Sequence, residues 1–241
     1  MKRYLCIILV LLLLLSFVGC GTEESKTSQK FVDKTVTVES FDPKDFSNSI
    51  SVSSVADFEK IYKTKEELYD ASKNVVYGTV KELSYFDESG AAHILYTFAV
   101  EEVYKGSLAE NDLISVLTAG GYVRLSKRIE IYGKGKFENY TEKQINNTVI
   151  KSDNMGMPTP EVGDKYLLFL SAPIDNEPPF PNGVYCAMGD FMGSYVQQGD
   201  EFVRYKPASE PDFYEGGEEK ISKISVEKYL KSQKEKLDKV K

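Results

Sequence analysis

Cys186 and His93 are the two side chains with which this chain could assemble nucleophilic catalysis. His93 is the only histidine, and of the 3 cysteines Cys6 and Cys20 fall in or at the end of an N-terminal apolar run, so a thiol and an imidazole can be paired in one way only. Neither residue sits in a local signature such as a nucleophile elbow, and Cys186 within Val184-Tyr185-Cys186-Ala187 reads as a small buried apolar residue of a strand. The carboxylate pairs Glu66-Glu67, Glu101-Glu102 and Glu218-Glu219 are adjacent in sequence. Successive residues of a strand point to opposite faces, so Glu101 and Glu102 cannot share a proton or a glycosidic bond. Gly189-Asp190 and the run from Asp212 to Glu219 are acidic enough for a hard cation but lack EF-hand spacing. Gly133-Lys134-Gly135-Lys136 lacks the strand-to-helix setting and the following Ser or Thr of a phosphate cradle. No catalytic, cofactor-binding or metal-ligating set is expected. The better candidate is a ligand loop: the stretch Pro178-Pro179-Phe180-Pro181-Asn182-Gly183-Val184-Tyr185 is stiffened by proline and presents Phe180 and Tyr185 with little entropy to lose on binding.

One cysteine has a different chemistry written around it. Lys2 and Arg3 precede the apolar run Leu5 to Phe17, and Val18-Gly19 leads into Cys20. A charged start, an apolar middle and a small-residue step are the three parts of an export signal. About 13 apolar residues rise to ~20 Å as a helix, short of the ~30 Å hydrocarbon core, so a permanent span is disfavoured. The string Phe17-Val18-Gly19-Cys20 resembles the lipobox of bacterial membrane lipoproteins. The resemblance implies that the Cys20 thiol receives a diacylglycerol, that residues 1–19 are removed, and that the acyl chains then hold the protein on a membrane. Residues 20–49 follow as a polar, flexible linker, with Thr35-Val36-Thr37-Val38 able to add a short strand, and the folded domain is expected from Ile50.

Removal of residues 1–19 leaves 28 basic and 37 acidic residues, a net charge of −9. Residues 220–241 hold eight lysines and three acidic groups, so residues 20–219 carry −14. An acidic body of this kind repels phosphate chains, which excludes nucleic acid as the main partner. Cys186 remains the only free thiol, so no intrachain disulfide is expected and the domain must rely on its core.

The elements that position these residues can be read from periodicity. Thr64-x-x-Glu67 is a capping box opening a helix from Lys65 to Ser72, with Leu68 and Ala71 on one face and Asn74 closing it in a left-handed conformation. Val75 to Val80 is a strand with a bend or bulge at Gly78. Asp87-Glu88-Ser89-Gly90 is a turn, and Ile94, Tyr96, Phe98 and Val100 alternate on one face of the next strand. Further strands are expected at Leu113–Leu117, Tyr166–Leu170, Val184–Ala187, Gly193–Gln197 and Phe202–Tyr205. Residues 124–163 read as a long excursion with a strand at Arg128–Tyr132, closing in Met157-Pro158-Thr159-Pro160 and a Gly163-Asp164 turn. From Ser225 as N-cap, Val226, Tyr229, Leu230, Gln233 and Leu237 recur at helical spacing to the end of the chain.

Together these elements predict a mainly β fold, a small antiparallel barrel or sandwich spanning 50–219, with a short helix before it and an amphipathic helix at 220–241 after it. The order of helix, VVYGTV, YTFAVEEVYKG, LISVLTAGG and KYLLFL resembles an OB-like barrel module of bacterial exported proteins, which implies a binding scaffold without naming a ligand. The expected role is that of a membrane-anchored, extracytoplasmic, non-catalytic binding or accessory module without a cofactor. Two rivals are a protein-interaction inhibitor or assembly factor that engages an envelope protein through the loops 124–163 and 173–183, and a thiol hydrolase built on Cys186 and His93. The terminal helix has two possible beds: the barrel, through Tyr229, Leu230 and Leu237, or anionic lipid, through its lysines.

Overall fold

The computed structural model describes residues 31–54, 58–208, 213–214 and 219–239. The leader, Cys20, the linker as far as Lys30 and most of the acidic run 212–219 lie outside the described residues. The strands are β1 (Val32–Lys34), β2 (Asn48–Ser54), β3 (Asn74–Phe86), β4 (His93–Lys105), β5 (Asp112–Ala119), β6 (Gly121–Arg124), β7 (Thr148–Asn154), β8 (Lys165–Leu170), β9 (Tyr185–Cys186), β10 (Ser194–Gln198), β11 (Glu201–Arg204) and β12 (Lys220–Ser222). The helices are α1 (Lys65–Ala71), α2 (Leu125–Tyr132), α3 (Glu142–Asn146) and α4 (Lys223–Asp238). The fold is mainly β with a C-terminal helix.

The larger sheet runs β1-β5-β4-β3-β8-β10-β11-β12, with β9 also paired to β5. Among the described residues no ladder joins its two end strands, β1 and β12, which are three residues each, so the sheet as a whole is not closed into a barrel. Its centre is the β3-β4 hairpin, where strict alternation sends Ile94, Tyr96, Phe98 and Val100 into one cluster with Val116 and Leu168. Leu167, Phe169, Tyr195 and Phe202 face the other way, where α1 contributes Leu68 and Tyr69 and α4 contributes Val226 and Leu230. The register shifts at Gly78, where a Cβ would collide with the Ala99 carbonyl; glycine lets β3 press directly on β4.

Around α1 the Thr64 hydroxyl accepts from the Glu67 N–H at 3.2 Å, as the motif requires, but the Glu67 carboxylate accepts from Lys63 rather than from Thr64, at 2.7 Å. The helix closes on Ser72 in extended conformation instead of on a left-handed Asn74. The Lys73 N–H is already committed to the Leu170 carbonyl, and Asn74 opens β3 while its Oδ1 accepts from the Ser107 N–H at 3.0 Å.

Three boundaries move. The folded body includes residues 31–49 ahead of Ile50, because β1 lies parallel to Asp112–Ile114 of β5 and Val36 and Val38 pack beside Phe86 and Leu117. Residues 124–163 are no excursion: β2, β7 and β6 form a second sheet in that order, β2 parallel to β7. Arg128–Tyr132 is helical within α2, where Leu125 and Ile129, four apart, face Val123 and Ile150. Finally, β12 pairs with β11 before α4 starts at Lys223, so Ser225 lies inside the helix and Ser222 takes the cap position without a side-chain bond.

Two buried charges hold these parts. Asp87, 1% exposed, receives the Arg124 guanidinium on both oxygens (2.8 to 3.2 Å) and the Arg124 N–H at 2.7 Å, fastening the end of β3 to β6 of the second sheet. Arg204, also 1% exposed, donates to the carbonyls of Tyr62 (3.0 Å) and Lys63 (2.5 Å) and lies 3.5 Å above the Tyr214 ring. It fixes the stretch that leads into α1. Among the described residues no helix is long and apolar enough to cross a membrane.

Candidate ligand pocket

Cys186 and His93 enter the same layer without meeting. The His93 ring stacks on Phe86 at 5.1 Å, meets the Phe180 edge at 5.3 Å and has Nε2 3.1 Å from the Ser89 hydroxyl. Burial holds its pKa below the ordinary imidazole value, opposed by the charge of Asp87. Cys186 lies on β9 beside Leu117, and burial pushes its thiol up to about 11, with Asp190 and Glu177 acting in the same direction. Among the described residues no hydrogen bond joins the two. A thiolate–imidazolium pair needs the opposite shift at both groups.

The two aromatic residues of the Pro-rich loop separate. Phe180 is half-buried against Phe86, Leu95, Leu117 and Val184, whereas Tyr185 packs with the Tyr96–Phe98 cluster. They do not present one surface. Among the described residues no three His, Cys, Asp or Glu side chains gather as a metal would require.

A pocket forms elsewhere, at the end of the inward face of the large sheet. Tyr96 of β4, Thr118 of β5, Tyr166 of β8, Val196 of β10 and Val203 of β11 line a cavity of about 290 Å³. The strand registers account for the grouping: Thr118 sits opposite Ile94, Tyr166 opposite both Gly78 and Val196, and Val196 opposite Val203. Where the core toward Leu168 is filled by large aliphatic side chains, this end has Thr, Ser and Val, and the volume stays open.

A cover lies over it. The segment 155–164 begins with two residues in left-handed conformation, Met155 (φ 55°) and Gly156 (φ 81°), and continues through Met157-Pro158-Thr159-Pro160 along the cavity wall. The Tyr205 hydroxyl donates to the Met155 carbonyl at 2.5 Å and holds one end. At the other end the Val80 N–H donates to the Asp164 carbonyl and the Gly163 N–H to the Val80 carbonyl, both at 2.9 Å, while the Asp164 carboxylate accepts from the Glu161 N–H at 2.8 Å.

The polar groups of the pocket include tyrosine hydroxyls and two carboxylates, beside the hydroxyls of Thr118, Thr159 and Ser194 and the amide of Gln198. Tyr96 is 3% exposed, lines the cavity, and its hydroxyl makes no hydrogen bond to any described residue. Its pKa stands well above the usual phenol value through burial, with Tyr166 and Asp190 adding to the shift. The Tyr166 hydroxyl, 3.5 Å from the Asp164 carboxylate, is raised by burial and then by Asp164 and Glu161. Both stay protonated and can donate. Sequence reasoning placed Tyr96 in the core and Met157–Asp164 in a loop, but the residues that complete the pocket come from five strands, and no local pattern marks them as a group. The sequence matches no known protein-family model, and no curated protein matches it.

Proposed function

We propose that the chain is an exported lipoprotein, held on the outer face of a cell membrane through Cys20, whose body is a non-catalytic binding module with its ligand in the Tyr96–Tyr166 pocket. The lipobox-like Phe17-Val18-Gly19-Cys20 supports the anchor. The covered cavity, whose wall includes Tyr96 with a hydroxyl that bonds to no described residue, carries the binding reading, because a mostly apolar concavity with a few polar groups left to orient a guest is the usual form of a small-molecule site. Binding is favoured over thiol catalysis by the raised Cys186 and lowered His93 pKa values.

An OB-like barrel is part of the same proposal. Residues 185–188 pair with β5 on one side and, through Ser171 to Cys186, Met188 to Phe169 and the Leu170–Ala187 bridge, with β8 on the other. This segment supports reading β5-β4-β3-β8 as a barrel-like wrap closed by a non-consecutive piece of chain, with the ligand at its open end.

Two measurements test the reading. Metabolic labelling with a palmitate analogue is expected to mark the wild type and not Cys20→Ala; label on both removes the anchor. A thermal-shift screen of small metabolites is expected to find compounds that raise the Tm of the wild type but not of Val203→Phe, which fills the cavity. Equal shifts in both proteins place the ligand elsewhere.

A further inference from the structure

The chemistry of the pocket wall is one-sided. Four aromatic rings (Tyr96, Tyr166, Phe191, Tyr205) and two carboxylates (Glu161, Asp164) line it, and among the described residues no lysine, arginine or histidine does. Neither carboxylate has an ion-pair partner among the described residues. An aromatic face presents the negative end of its quadrupole, and the body around the pocket carries −14 in sequence, so the fields of ring, carboxylate and whole molecule share a sign. Burial raises the Tyr166 hydroxyl first, and Asp164 and Glu161 push it further in the direction that a negative surrounding charge requires.

An anionic ligand would meet repulsion here and find no cationic donor. A hydrated metal ion would find only two carboxylates, and among the described residues no third His, Cys, Asp or Glu side chain gathers with them to replace its water. A weakly hydrated cation with an apolar body fits both the charge and the wall, and the free Tyr96 hydroxyl can accept from its N–H or O–H. We propose that the pocket binds a small organic cation, a methylated or primary ammonium group on a body of a few carbons. This assignment rests on the reading of the cavity as the ligand site.

Isothermal titration of the full-length protein with choline and with its neutral isostere 3,3-dimethylbutan-1-ol tests it. Choline is expected to bind, with the isostere weaker by about tenfold or more. The double substitution Glu161→Gln with Asp164→Asn, which retains an oxygen for the Glu161 N–H, is expected to weaken choline several-fold and leave the isostere unchanged, with an unaltered thermal melt confirming the fold. Equal affinity for choline and isostere, both lost in Val203→Phe, overturns the cation assignment and keeps the pocket. Choline binding that is undiminished in Val203→Phe, or no binding of either compound, overturns the cation assignment at this site as well.

Discussion

At the scale of single residues, burial decides the fate of the groups that could do chemistry. Cys186 has the neighbours of a core residue, and a thiol held near 11 is almost wholly protonated at neutral pH. Its alkylation by iodoacetamide at pH 8 is therefore expected to be at least about tenfold slower in the native protein than in urea, read by mass spectrometry. Equal rates would mean that the thiol is activated. His93 was readable from the sequence as the only imidazole, but its place stacked on Phe86 and edge-on to Phe180 was not, because these three residues come from the end of one strand, the start of the next and a distant loop. Tyr96 teaches the complementary lesson. Alternation identified its inward direction correctly, yet the space beyond its hydroxyl depends on Thr118, Ser194 and Val203, whose small size has meaning only once they are neighbours.

At the scale of elements, what is local was legible. The Thr64 cap, the turn at Asp87–Gly90, the bulge at Gly78 and the inward set from Ile94 to Val100 all depend on residues within a few positions of each other. The second sheet was hidden because Asn48 pairs in parallel with Thr148, and α2, two turns long, offered only Leu125, Ile129 and Tyr132 at helical spacing to announce a helix. Of the two beds considered for α4, the sheet holds Val226 and Leu230, with Tyr229 edge-on to Tyr69 at 5.9 Å and Lys234 donating to the Val103 carbonyl at 2.8 Å. Leu237, expected in that contact, is 43% exposed. Leu230→Ala is expected to cost about 2–4 kcal/mol in urea denaturation. Changing Lys228 and Lys231, both exposed, to Gln is expected to alter stability by less than about 0.5 kcal/mol. A neutral Leu230→Ala would contradict the docking.

At the scale of the whole molecule, the two sheets are fastened at one point by charge rather than by continuous packing alone. Asp87 is buried and satisfied by Arg124 and its backbone N–H, so Asp87→Ala leaves a partly desolvated guanidinium and an open N–H together. The expected loss is about 3 kcal/mol by chemical denaturation, and a loss below about 1 kcal/mol would show that the packing around Val123 and Ile150 suffices. The pairing of β1 with β5 has a consequence for the anchor proposed at Cys20. Because Val32 is already stitched to Asp112, only twelve peptide units separate it from Cys20, a contour length of at most about 40 Å. An acylated molecule would thus be kept on a short leash, and anything it captures would be taken from the thin layer of fluid next to the lipid headgroups.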